Sequence, residues 1–342
     1  MQPMETISDL LQQLEGHFRI FDMGCRLTKV SASEFKAFES GSKAYPLPWL
    51  RHAWVGVLLW NSQDQKASTP TIWFLKFPLD ERGELIQAAR DEFLNQLLET
   101  IGTSMIDQHA SSEWAEQLKH SNLAFTPDQS RMAAFHAQAS LTLDQPASSF
   151  YTDVQNYLIH DGVSPNWQNL GLQGFADFAV RLDQQSHWQD NISKLKAPVL
   201  ETLAAQLENH SISHTLANEF IKRGQTSTDE GEQVSCLRAI SQSTDAASRR
   251  EWLAAILADQ KQTSVEMLAT ITSKCSQDLL DSQLMGLFVQ QCAADQGVFN
   301  GLVQELMFQP KLRVKVLEAF RANNRTPELI QAIGALMGQQ QS

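Results

Sequence analysis

Glycine, proline and cysteine are all scarce in this chain. Of its 342 residues, 16 are Gly, 11 are Pro and 4 are Cys, while 42% are hydrophobic. Because an average protein contains about 7% Gly and about 5% Pro, this composition argues against collagen, low-complexity disorder and a turn-rich all-β fold. A helix-dominated globular protein is left, and the length predicts roughly two domains.

The four cysteines form no recognisable motif. The sequence has no Cys-x-x-Cys pair and no Cys/His spacing, which argues against a zinc site or a disulfide framework and favours a reducing compartment. We interpret Cys25 as a small core residue, because no Cys/His signature surrounds it. The other three fall on apolar helix faces and are interpreted as packing residues: Cys236, Cys275 and Cys292.

Long hydrophobic segments and a signal peptide are also missing. The longest apolar run, Ala53 to Trp60, is far too short to cross a membrane. Residues 1–16 contain no basic region followed by an apolar stretch. These absences predict a soluble protein of the cytoplasm.

No part of the chain has an excess of basic residues. The net charge is −12, and the basic and acidic counts are 10 and 13 in residues 1–105, 5 and 10 in 106–197, and 12 and 16 in 198–342. Phosphate neutralisation requires a clustered positive face. The charge distribution therefore argues against a nucleic-acid partner.

Strand-forming sequence is confined to the first 105 residues. Phe18–Met23 and Arg26–Val30 are β-prone runs broken at Gly24, and Ala53–Trp60 and Thr71–Phe77 resemble an antiparallel pair joined by a mobile loop over 61–69. The last two runs do not alternate between polar and apolar residues, which predicts strands that are covered on both faces.

Two helices are available to cover these strands. One begins at the capping box Ser31-x-x-Glu34, and the other follows Gly83 and carries Leu85, Ala89 and Phe93 at a spacing of four. We therefore predict that residues 1–105 form a small α+β domain, with an antiparallel sheet of three or four strands between helices.

Residues 106–197 are predicted to be a helical connecting region. Thr126-Pro127-Asp128-Gln129 has the pattern of an N-cap followed by proline in the first turn, and Ser164-Pro165 starts a second helix. That second helix carries Gly171 and Gly174 on its apolar face. Each glycine costs a helix about 1 kcal/mol relative to alanine, so we expect a neighbouring helix to pack closely there.

Residues 198–342 read as a repeated pair of short helices. The first helix of each pair is predicted to begin near one of five positions, separated by 31, 34, 33 and 30 residues: Pro198, Asp229, Thr263, Gln296 and Thr326. Capping boxes are predicted at Asp229, at Thr263 and, for a second helix, at Ser248. No helix pair can bury its own apolar face. We therefore predict that the α+β head is followed in the chain by an array of helical pairs that resembles an α-solenoid (HEAT/armadillo-like).

Several segments carry a family resemblance. Around Phe18–Gly24, Ile72–Gly83 and Ala88–Asp91, the sequence resembles a family of uncharacterised gammaproteobacterial proteins that is defined only as a domain of unknown function. The resemblance covers the whole chain and implies a bacterial cytoplasmic protein. It supplies no catalytic residue.

Two groups of histidines have spacings that resemble metal sites. His160-Asp161, with His120 or His136 upstream and Asp183 downstream, imitates the ligand order of HD-type phosphohydrolases. However, residues 162–165 end the helix directly after this dyad, so we interpret His160 and Asp161 as helix-end residues.

The second group is the pair His210 and His214, spaced i and i+4. It falls at a junction between two helices, where Ser211 or Ser213 is expected to cap the second helix. The facing geometry that a metal needs is therefore not expected. The sequence also lacks a P-loop and the motifs GxSxG, HExxH and GxGxxG.

Two features are predicted to bind a partner. One is Trp49, at the end of the loop Pro46–Trp49, because tryptophan is common at interface hot spots. The other is a basic stripe near the C-terminus, for which a solvated face is the alternative: Lys311, Arg313, Lys315, Arg321 and Arg325.

These observations favour a non-catalytic interaction or adaptor protein of the bacterial cytoplasm that binds a protein through its helical array. The alternatives are a metal-dependent hydrolase-like enzyme with its site near His160 and Asp161, or a regulatory module that binds a small ligand between head and array. No cofactor, nucleic acid or membrane is expected as a partner.

Overall fold

The computed structural model describes residues 6–13, 16–60, 70–101, 121–161, 165–184, 188–259 and 263–339. The chain divides into two compact units, residues 1–145 and 146–342. The division into three domains that the sequence suggested stays a prediction.

The first unit contains a four-stranded antiparallel sheet. Its strands are β1 (His17–Asp22), β2 (Thr28–Val30), β3 (His52–Trp60) and β4 (Thr71–Pro78), arranged in the order β2-β1-β3-β4. The predicted pairing of β3 with β4 is confirmed, and β1 pairs with β2 as a hairpin. The loop predicted over residues 61–69 lies outside the described residues.

In the described residues of the first unit, four helices accompany the sheet: α1 (Ile7–Gln13), α2 (Ala32–Glu39), α3 (Gln87–Ile101) and α4 (Gln129–Thr142). The predicted capping box is confirmed at α2, where the Glu34 amide donates to Ser31 Oγ at 3.2 Å and the Ser31 amide donates to Glu34 Oε2 at 3.2 Å. Helix α4 begins two residues later than a Thr126 cap would require. Asp128 is its N-cap, because the Asp128 carboxylate accepts from the Arg131 amide at 2.9 Å.

Helices cover both faces of the sheet, as predicted. On one face Phe35 of α2 packs against Phe77 of β4, with ring centroids 6.5 Å apart. On the other face Phe135 of α4 packs edge-on against Phe21 and Phe74, at 5.5 and 5.1 Å. Gly56 allows this approach, since a Cβ there would lie 2.7 Å from the Phe135 ring.

The helix that covers the second face is α4, and not α3 as the sequence suggested. Helix α3 lies beside α2, where Arg90 Nη1 donates to the Glu39 carbonyl oxygen at 2.5 Å. Close packing of α4 therefore supplies the second layer, and this helix comes from beyond residue 105.

The second unit begins with short and irregular helices. These are α5 (Tyr151–Asn156), a π-helical turn (Tyr157–Asp161), a 3₁₀ helix (Pro165–Asn169), α6 (Leu172–Ala179) and two further 3₁₀ helices (Leu182–Gln184 and Gln189–Lys194). The single helix predicted from Pro165 through this region is therefore wrong. It breaks before α6 because Gly171 is extended, with φ −77° and ψ 138°, and serves as the N-cap of α6.

The close packing expected at Gly174 is confirmed. A Cβ at this position would lie 2.4 Å from the carbonyl oxygen of Phe150 and 2.8 Å from the Val154 side chain. Helix α6 therefore lies directly on the start of α5, and only glycine fits at the contact.

Nine α-helices follow within the described residues: α7 (Ala197–Leu207), α8 (His214–Thr226), α9 (Glu230–Ile240), α10 (Ala246–Ala258), α11 (Val265–Lys274), α12 (Ser282–Cys292), α13 (Gln296–Phe308), α14 (Pro310–Arg321) and α15 (Pro327–Gln339). A 3₁₀ helix (Ser276–Leu280) lies between α11 and α12. All five predicted first helices are present and begin within two residues of their predicted starts. The fold is thus a small antiparallel sheet followed by a mostly helical body.

The predicted caps are only partly correct. Asp229 caps α9 as expected, accepting from the Glu232 amide at 3.2 Å. Helix α11 is capped by Ser264 and not by Thr263, and α10 is capped by Asp245, with Ser248 supplying the amide. In each case the N-cap is the residue whose side-chain oxygen accepts a hydrogen bond from the backbone amide three residues later.

Each helix from α7 to α13 packs on the helix two further along the chain. One row contains α7, α9, α11, α13 and α15, and the other contains α8, α10, α12 and α14. A single apolar core runs from Val154 through the helices to Leu336, and it includes the buried thiols of Cys236, Cys275 and Cys292. Those three cysteines are therefore packing residues, as predicted.

Charged side chains join neighbouring helices of a row. Glu208, at the end of α7, pairs with Arg238 of α9 at 2.7 Å and with Lys274 of α11 at 2.7 Å. Arg249 of α10 pairs with the buried Asp278 before α12, also at 2.7 Å. None of the helices in the described residues is long and apolar enough to cross a lipid bilayer.

The packing at Gly174 predicts opposite effects for two glycine substitutions. Gly174→Ala should destabilise the protein by about 1–3 kcal/mol, because the added methyl group meets backbone. Gly286→Ala, within α12, should stabilise it by about 0.5–1 kcal/mol, because no atom lies within 4 Å of the new Cβ. Urea unfolding of both variants measures these changes, and equal effects would contradict the described contact.

Candidate functional site

The C-terminal basic residues lie on α14 and in the turn that follows it. Residues 310–325 contain five basic residues and one acidic residue, Glu318, within a chain of net charge −12. This segment therefore has a net positive charge, although residues 198–342 as a whole have a net negative charge.

Three of these five basic side chains make contacts within the fold. Arg313 Nε donates to the Met307 carbonyl at 2.6 Å, and Arg325 Nη1 donates to the Phe320 carbonyl at 2.9 Å. Both carbonyls lie in the last turn of a helix, where cations are favoured. Lys315 pairs with Glu318 at 2.8 Å and lowers the pKa of that carboxyl group.

The two remaining basic side chains, Lys311 and Arg321, are exposed and share a face of α14. With about 100° of rotation per residue, positions 311, 314 and 321 lie on one side of the helix, opposite the buried residues Leu312 and Val316. Val314 is 54% exposed, and Leu317 is half-buried beside it. Glu318 is also exposed on this side of the helix, so we call these five residues the outward face of α14: Lys311, Val314, Leu317, Glu318 and Arg321.

Sequence inspection did not single out Val314. The signal that could have found it is helical phase, because the apolar positions Leu312, Val316 and Phe320 define the buried side and Val314 falls opposite to them. The same phase separates Arg313 from Lys311 by about 200°. The five basic residues do not form one continuous stripe.

Trp49 lies in the first unit, at a tight turn. Its amide donates to the His52 carbonyl, and the His52 amide donates back to the Trp49 carbonyl, both at 3.0 Å. The two residues between them, Leu50 and Arg51, have φ values of +49° and +59°. Trp49 itself is half-buried, and the exposed apolar side chain at the tip is Leu50, which is 55% exposed.

A buried carboxyl group anchors the segment that leads to this turn. Asp22 of β1 is 1% exposed and accepts from the Tyr45 hydroxyl at 2.9 Å and from the Gly24 amide at 3.1 Å. Burial raises the pKa of Asp22 to about 7, against the opposing effect of these hydrogen bonds and of nearby Arg26 and Arg131. Burial also raises the pKa of Tyr45 well above its ordinary value.

Two residues of the suggested metal site, His160 and Asp183, lie on separate elements of the second unit. His160 is exposed, with its Nδ1 3.3 Å from the Asn156 carbonyl oxygen, and Asp183 is exposed in a separate 3₁₀ helix. His136 is exposed on α4 of the first unit, while His120 and the Asp161 side chain lie outside the described residues. Within the described parts, no three His, Cys, Asp or Glu side chains form a metal-binding group.

His210 and His214 lie on different elements, as expected. Ser213 caps α8 by accepting from the Leu216 amide at 3.3 Å, and His214 is the first residue of that helix. The His214 ring lies 2.5 Å from an Asp245 oxygen and 2.8 Å from the Asn218 amide nitrogen. Burial lowers the pKa of His210 to about 4.

Comparison with known families identifies the chain. A family model described as a protein of unknown function (DUF3549) matches residues 2–337, so the chain belongs to that family. No curated protein and no solved structure matches it.

The buried Asp22 predicts a pH dependence of stability. Between the unfolded pKa of about 3.9 and the folded value of about 7, the folded state binds more protons, so its unfolding free energy should fall as the pH rises. Asp22→Asn should flatten this fall, whereas Asp153→Asn, at an exposed position, should leave it unchanged. Urea unfolding at pH 4 to 8 measures both slopes, and an unaltered slope in Asp22→Asn would contradict the assignment.

Proposed function

We propose that this member of the DUF3549 family is a non-catalytic interaction or adaptor protein of the bacterial cytoplasm. The helical array formed by α7 to α15 is the part that binds a protein partner. The family assignment itself carries no activity, so the proposal rests on the arrangement of the helices.

The observation that carries the proposal is the contact pattern of the array. Each helix from α7 to α13 packs on the helix two further along, so the two rows share one core. This pattern is what a solenoid-like array of helical pairs requires, because each repeat contacts only its neighbours. Such arrays leave one side of every helix available over a long surface, and they typically bind proteins along it.

The outward face of α14 supports the same proposal. It combines an exposed aliphatic side chain, Val314, with two exposed cations, Lys311 and Arg321. Protein interfaces commonly combine an apolar centre with a charged rim. The face therefore supplies a docking point at one end of the array.

The direct test is to recover the partner from the cells that produce the protein. The tagged full chain should recover one protein in near-stoichiometric amounts after treatment with a lysine-directed crosslinker. The crosslinks should concentrate on Lys222, Lys311 and Lys315, since these lysines belong to the array that is proposed to bind the partner.

Lysines of the first unit provide the internal control, because Lys29, Lys36 and Lys43 should crosslink little to the partner. The proposal fails if no protein is recovered above a tag-only control. It also fails if the crosslinks fall on the first unit alone.

A further inference from the structure

The geometry points to the occupant of the outward face of α14: an acidic segment of a partner protein that carries an aliphatic side chain. This inference rests on the proposed function and names the partner's chemistry. It follows from three properties of the face, which are its apolar centre, its charge and its spacing.

The apolar centre is Val314, with more than half of its surface exposed. Leu317 lies one turn further along, where it is half-buried and packs against the core, so Val314 is the exposed part of this aliphatic spot. An aliphatic side chain of the partner would remove this spot from water. A purely ionic ligand would leave it exposed.

The charge of the face is positive. Lys311 and Arg321 form no ion pair within the described part of the chain. Glu318 of the same face pairs with Lys315 at 2.8 Å, so its negative charge is compensated. A chain of net charge −12 repels most acidic segments. An acidic partner is therefore directed to this face by electrostatic complementarity.

The spacing sets the length of the partner segment. Lys311 and Arg321 are ten positions apart on one helix, which corresponds to about 15 Å along its axis. Carboxylates of the partner must span about the same distance on either side of the aliphatic residue. A helical segment achieves this over about ten residues, and an extended one over about five.

A phosphate polymer is the competing polyanion, and the aliphatic centre argues against it. Nucleic-acid binding surfaces place basic side chains along a groove that follows the backbone. Here three of the five basic residues instead bind carbonyl groups or a carboxylate of the fold. Only two cations remain, and they flank a valine.

Fluorescence anisotropy with synthetic peptides tests this inference on the full chain. The first probe is a 14-residue peptide with Glu residues around a central Leu. In the second the Leu is replaced by Ser, and in the third every Glu is replaced by Gln. A single-stranded oligonucleotide of equal charge is the fourth. We expect the first probe to bind most tightly and to weaken as salt is raised.

Variants of the chain locate the binding. Lys311→Glu/Arg321→Glu should weaken binding of the first peptide by about tenfold or more, and Val314→Ser should abolish the preference for Leu over Ser. Lys29→Glu/Lys43→Glu makes the same change in charge at exposed positions of the first unit and should change affinity less than about twofold. Circular dichroism should show an unchanged melting temperature for all three variants.

Four results would overturn the inference: no binding of the acidic Leu peptide, equal loss in both double variants, equal binding of the Leu and Ser peptides, or tighter binding of the oligonucleotide. If the peptides fail while a crosslinked partner maps elsewhere on the array, the proposed function stands and this docking face is wrong. If no partner is recovered, the proposed function itself fails.

Discussion

The second unit depends on one constraint: a helix of ten to thirteen residues cannot bury its own apolar face. Helix α14 shows this, because its residues Leu312, Val316 and Phe320 lie on one side and are buried by neighbouring helices. The requirement is met by packing each helix on the one two further along. Isolated helices of this length are marginal in water, so the neighbour contacts supply most of the stability.

The same packing determines which charged side chains are bonded within the fold and which are exposed. Arg249 and Asp278 are buried together, and Arg313 and Arg325 bind the carbonyls that end two helices. A side chain that closes a helix end cannot easily serve a partner as well. The outward face of α14 remains exposed, and its charged and aliphatic side chains are ones that the packing of the helices does not bury.

The sequence predicted the elements better than their partners. Helix starts such as Asp229 were readable because capping and apolar period are local, and so were the paired strands. The packing of α4 on the sheet could not be predicted from local sequence. Its Phe135 ring contacts Phe74, which lies more than sixty residues earlier in the chain. Likewise the count of basic residues on α14 missed Val314, because exposure depends on helical phase and on contacts with α12 and α13.

Hydrogen exchange on a core variant tests the stacked-neighbour account most directly. Leu336→Ala removes a side chain of α15 that is 1% exposed, whereas Ile330→Ala, at a position that is 53% exposed on the same helix, is the control. Stacking predicts faster amide exchange in α15 and in its neighbours α12 and α13, with α7 to α9 unchanged. An equal loss of protection in all nine helices would contradict the account, because it would mean that they unfold as one globule.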